Sequence, residues 1–206
     1  MPWPTSLQPC IRCGANCSDL PFTDNRKVGS AWLGTVWSRA GWLASHPFHH
    51  PLFDLPFVSI WTVCLDWMHV KHLGVDRYYL GSCLWLLCYQ ILPHEPEDAL
   101  QFVFDQCKQW WGERGISTSD TYSKLKLSMF TNPESPRSDF PQLKGKAAEI
   151  KLLIAPLRDI FLKWMEPDDV AHQWVQLGLK ASARLEDVLM QSAAAHTLPE
   201  PVQSEF

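Results

Sequence analysis

Apolar and polar positions follow more than one period along the chain. The run FVSIWTVCL, Phe57 to Leu65, is β-branched and nearly continuous in apolar residues, which predicts a buried strand. It stops at Asp66, and from Trp67 or Met68 to Ile91 the spacing is helical, with Gly74 and Gly81 weakening the helix without ending it. Upstream, VGSAWLGTVWSRAGWLASH carries Trp32, Val36 and Leu43 at helical spacing, with Asp24 as the expected cap, until HPFHHPLFDLP breaks the pattern with Pro47, Pro51 and Pro56. Downstream, EPEDALQFVFDQCKQWWGERG predicts a helix, with acids at its positive end and Gly112 and Gly115 near its stop. SKLKLSMF alternates as a short strand or extended piece, and TNPESPRSDFP is a loop. LKGKAAEIKLLIAPLRDIFLKWM gives the longest helical pattern, expected to bend or break at Pro156 because proline removes a backbone donor. A last helix, VAHQWVQLGLKASARLEDVLMQS, opens after Asp168 and Asp169. The fold class expected is mostly α with a few short strands (α+β). Residues 1–25 form an irregular cysteine-bearing leader, 26–192 the folded domain and 193–206 a disordered tail.

A chain of 206 residues that is 46% hydrophobic and 19% charged has enough material for a real core. Its 11 tryptophans favour a packed interior. Net charge is −4, which argues against a stand-alone nucleic-acid binder with a broad basic face. MPWPTSLQPC has neither a basic start nor a long apolar centre, so no secretory signal is read there. The longest apolar stretch, Leu80 to Leu92, falls short of the roughly 20 residues of a membrane span. No membrane association is expected. The location expected is intracellular, and nuclear if DNA is the partner. Seven cysteines without a regular framework then point to reduced thiols or a metal site, not to disulfides.

Three constellations can carry chemistry. Asp66 follows the predicted strand and opens a helix, the position of an N-cap. His69 and His72, three apart, can face one point and each give zinc a nitrogen; the alternative is a pair of partly buried histidines bonded to nearby carbonyls. Cys10-Ile11-Arg12-Cys13, followed by Cys17, is a C-x2-C knuckle that would complete a Cys10, Cys13, His69, His72 zinc set, or else free thiols in a leader. Glu149 lies at the edge of an apolar helical arc holding Ile150, Leu153, Leu157 and Phe161. A carboxylate there is partly desolvated unless it pairs with a lysine or binds a cation.

Taken in order, these segments resemble cut-and-paste DDE transposases of the CACTA/Tnp2-like kind. Asp66-Trp67-Met68-His69 is similar to their D-x2-H motif, which follows a strand. LKGKAAEIKLLIAPL is similar to their helix bearing the last catalytic acid, with Glu149 in that place. CIRCGANC followed by PFTD resembles the cysteine-bearing segment before D-x2-H. The resemblance covers most of residues 10–165. It implies a partial RNase H-like core with a helical insertion, DNA as partner, and Mg2+ held by three carboxylates for phosphodiester cleavage. Glu149 would be catalytic, and Asp66 and His69 would support the site. The family's first two aspartates are expected upstream of the cysteine segment, and Asp24, Asp54 and Asp66 match neither. The chain therefore reads as the C-terminal half of a transposase, inactive alone. Gly-x-Ser-x-Gly and a glycine-rich phosphate loop are absent. The competing expectation is a non-enzymatic helical module that binds a protein partner or itself through a tryptophan-rich surface, with zinc in a structural role.

Overall fold

A computed structural model of the chain describes residues 10–16, 19–21, 29–63, 66–136 and 140–192. The chain divides into two compact units, Met1–Leu65 and Asp66–Phe206. The boundary falls inside the continuous 26–192 domain expected from the sequence. Asp24 and the 193–206 tail lie outside the described residues.

Among its described residues the first unit holds one short α-helix, α1 (Arg39–Ser45), and 3-10 turns at Ala31–Thr35 and Pro51–Asp54. The expected helix from 28 to 46 is thus split. Thr35 Oγ1 donates to the Trp32 carbonyl at 2.7 Å, and Val36 turns extended to make an antiparallel bridge with Cys13. Such local hydroxyl bonds give the backbone an alternative to continuing the helix. Ser38 then restarts it, its Oγ accepting from the Gly41 amide at 3.0 Å. Helix α1 buries Trp42 against His46 and Phe53.

The strand expected over Phe57–Leu65 is replaced by turns through Val63. Two local causes are visible. The Ser59 amide donates to Thr62 Oγ1 (3.1 Å), and Thr62 Oγ1 donates back to the Ser59 carbonyl (2.7 Å), closing the backbone on itself. The Arg39 guanidinium takes the carbonyls of Phe53 (2.9 Å) and Leu55 (3.1 Å) just before the segment and that of Val58 (2.9 Å) within it, a group a ladder would need. Among the described residues no sheet forms; the Cys13–Val36 bridge is the one strand-like pairing. The SKLKLSMF segment likewise tightens into a 3-10 turn at Leu127–Met129.

The second unit is helical. Helix α2 runs over residues 68–91 as a π-helical stretch Met68–Asp76, an α-helical stretch Arg77–Leu86 and a π-helical end Leu87–Ile91. Then come α3 (Pro96–Glu113), α4 (Ala147–Trp164) and α5 (Val170–Ser192). Each starts where the sequence offers a start. Pro96 begins α3 with Glu97 and Asp98 in its first turn. Asp169 Oδ1 accepts from the amides of Ala171 (2.7 Å) and His172 (3.1 Å), capping α5. The core interleaves Leu80, Leu84 and Leu87 with Leu100, Val103 and Phe104, then Leu153, Leu157 and Phe161, and Leu179 of α5. Burial of each large side chain contributes about 1.5–3 kcal/mol.

Helix α4 does not break at Pro156. A proline cannot donate to the carbonyl four residues earlier, here that of Leu152. The Trp111 indole N–H of α3 donates to that carbonyl at 2.9 Å, so the orphaned acceptor is satisfied from a neighbouring helix. A second indole, Trp110, donates to Asp159 Oδ2 at 2.9 Å and ties the same two helices.

Candidate functional site

Asp66 does what its place predicts. Its Oδ1 accepts from the amides of Met68 (3.0 Å) and His69 (3.4 Å), and its Oδ2 lies 2.6 Å from His69 Nδ1. The hydrogen bond from His69 is the main reason the Asp66 carboxyl stays below its ordinary value. D-x2-H is therefore a formed pair at the head of α2, and both side chains are exposed.

His69 and His72 do not converge. The reason is the π-helical stretch, whose i→i+5 bonding widens the turn so that three-residue spacing no longer shares a face. His72 is buried and its Nδ1 lies 3.0 Å from Asp76 Oδ2, whereas His69 stays outside with Asp66. Cys10 and Cys13 belong to the first unit and the two histidines to the second. Glu149 is the third residue of α4, and its Oε2 accepts from the Lys146 amide at 2.7 Å. It acts as the acidic half of a helix cap, which also explains its place beside the apolar arc.

The most concentrated chemistry gathers around His72, with partners the sequence analysis does not single out. Lys71 is buried, and its Nζ donates to Asp76 Oδ2 (2.7 Å) and Ser182 Oγ (2.9 Å) and sits 2.8 Å from Glu186 Oε1. Ser182 Oγ donates to Asp76 Oδ1 at 3.1 Å, and His72 Nε2 is 3.6 Å from Glu186 Oε1. On an ideal α-helix residues five apart diverge by about 140°. The wider π turn is what lets Lys71 and His72 both reach Asp76. Burial pushes the Asp76 carboxyl up, but hydrogen bonds from His72, Lys71 and Ser182 outweigh it and hold it below its ordinary value. A helical wheel does carry one signal for this cluster. Glu186 is seven residues from Leu179, which puts a carboxylate on the apolar face of α5.

His72, Asp76 and Glu186 offer donor atoms within 4.8 Å of one another. Their chemistry would suit a divalent ion, but Lys71 Nζ already contacts both carboxylates, 2.7 Å from Asp76 Oδ2 and 2.8 Å from Glu186 Oε1. Lysine as the counter-ion is the better fit to this donor set.

Comparison with protein-family models, with curated proteins and with solved structures returns no match for this chain. What the site can do rests on its own geometry.

Above the ionic cluster lies an open groove of about 490 Å3 between α2 and α5. Trp67, Val70, Val75, Tyr79 and Leu185 line it, and Lys71, Asp76 and Ser182 also border it. Tyr79 fixes one wall: its hydroxyl donates to the Val175 carbonyl at 2.6 Å, crossing Gly178 where a side chain would collide with the ring. Along the rim, α5 exposes Val170, Trp174 and Leu177, an apolar ridge at helical spacing. Among the described residues no helix is long and apolar enough to cross a membrane.

Proposed function

We propose that the chain is a helical module related to DDE transposases that does not cleave DNA by itself. The observation carrying this reading is the Asp66–His69 pair, formed at the head of a long helix in the order the D-x2-H resemblance requires. Two-metal phosphodiester chemistry needs several converging carboxylates. Glu149 is engaged in capping α4, and among the described residues the one cluster of metal-ligating groups, His72, Asp76 and Glu186, does not include it. RNase H-like descent, DNA as partner and Mg2+ binding belong to this proposal and follow from the resemblance. Labelled duplex DNA incubated with Mg2+ and the purified chain is expected to stay intact. Cleavage that disappears in Glu149→Gln would overturn the inactive reading.

A second reading is favoured by the groove. It is apolar, and the same chain presents an apolar helical ridge beside it, so one copy carries both halves of a self-complementary contact. In this reading the occupant is a second copy of the chain. Sedimentation at rising concentration should then show a monomer–dimer equilibrium. Removing a central interface tryptophan typically costs about 2 kcal/mol, so Trp174→Ala should weaken the dimer roughly 30-fold with its melting unchanged. A chain that stays monomeric at all concentrations removes this reading.

A further inference from the structure

Among its described residues the first unit buries few apolar side chains: Cys13, Ala15, Trp32, Trp42 and Ile60. Its cluster of buried apolar residues is Cys13, Ala15 and Trp32, with Cys10 and Leu20 packed partly against it. Units of this size usually need a staple, either a metal or a disulfide. The loop holding Cys10 and Cys13 is organised well beyond what so small a core explains. The Arg12 amide donates to Cys10 Sγ at 3.4 Å, turning the chain back around the first sulfur. The Arg12 carbonyl accepts from the Trp37 amide at 2.9 Å, and the Gly14 amide donates to Thr35 Oγ1 at 3.0 Å. A side chain at Gly14 would press on Thr35 Cβ at 3.2 Å, so the loop packs closely where it leaves the knuckle. Cys13 is also bridged to Val36. Both thiols are free, Cys13 buried and Cys10 half-buried.

Cys10 and Cys13 stand three apart in one packed loop, the C-x2-C spacing with which two thiolates grip one ion. An amide pointing at a sulfur stabilises the thiolate form, as second-shell bonds do around metal-bound cysteines.

We propose that Cys10 and Cys13 form a two-thiolate knuckle that binds zinc in the first unit. Each thiol gives up its proton to solvent as its sulfur bonds the ion, so one Zn2+ is taken up and two protons are released. The two remaining tetrahedral positions are open to water or to other donors. This site is independent of the transposase reading and of the groove.

The test uses the full chain, purified and reduced, with cobalt as the probe. Added Co2+ should produce a sulfur-to-cobalt charge-transfer absorption, and one equivalent of Zn2+ should abolish it. The absorption should be lost in Cys10→Ser and in Cys13→Ser. In the unsubstituted chain, zinc should also protect Cys10 and Cys13 from alkylation, as mapped by peptide mass spectrometry. That second readout holds even if a variant fails to fold. No charge-transfer band, a band that survives in Cys10→Ser, or equal alkylation of both cysteines with and without zinc would each overturn the proposal.

Discussion

Asp76→Ala is expected to lower the stability of the second unit by about 3–5 kcal/mol, the usual cost of removing one partner from a buried ion pair. The substitution takes an acceptor from Lys71, from His72 and from Ser182 at once. Lys71 and Asp76 are almost fully enclosed, with side chains 7% and 4% exposed, so water from the bordering groove replaces the lost bonds only in part. Loss of urea resistance, followed by far-ultraviolet circular dichroism, measures the effect. Asp66→Ala is the contrast: it removes one helix cap and an exposed pair, so its midpoint should fall by clearly less than that of Asp76→Ala. The same cluster sets an acid limit. The folded Asp76 carboxyl holds its proton less tightly than the ordinary value of 3.8. Its stabilisation is therefore fully present above that value and is lost as pH falls through the lower folded value. The urea midpoint should fall more steeply below about pH 4 in the native sequence than in Asp76→Asn. An Asp76→Ala chain as stable as its parent would mean that the cluster does not hold α2 to α5.

Gly81→Val is the second large effect, expected to cost about 1–3 kcal/mol or more through overpacking. Even a Cβ at this position would stand 2.9 Å from the Leu143 amide nitrogen, 3.0 Å from the Pro141 carbonyl and 3.1 Å from the Gln142 nitrogen. These are backbone atoms and cannot rotate away. They are also pinned, because the Leu143 amide donates to the Arg77 carbonyl at 2.8 Å and the Gln142 amide to the Phe130 carbonyl at 2.9 Å. Gly112 provides the comparison. It sits near the end of α3 with nothing within 4 Å of a built Cβ, so Gly112→Ala should stabilise by about 0.5–1 kcal/mol. Thermal melts of the two variants should move in opposite directions. A Gly81→Val melt at or above that of the parent would show that segment 141–143 does not cross α2 so closely.

Periodicity alone was enough to find α2, α3, α4 and α5, because each has a long apolar stripe and a recognisable start. It failed at Phe57–Val63, where composition favours a strand. What decides that segment is the placement of two hydroxyls and of a guanidinium from elsewhere in the chain, and apolar spacing does not record either. In the site, Asp66 was legible as a cap because capping is a local property. The separation of His69 from His72 was not, because it depends on a wide turn that a 3.6-residue wheel does not anticipate. The meeting of Lys71 with Asp76 escapes the wheel for the same reason, and Ser182 joins them from more than a hundred residues away. Glu186 left the one trace, an acid on an otherwise apolar helix face.

The carbonyl of Leu152 adds a consequence for how the second unit assembles. No amide within α4 can reach it across Pro156, so that helix on its own has a built-in swivel point. The indole of Trp111 closes the swivel, and it arrives only when α3 docks. Full order in α4 is thereby made conditional on a partner earlier in the chain, which ties the two segments into one cooperative step.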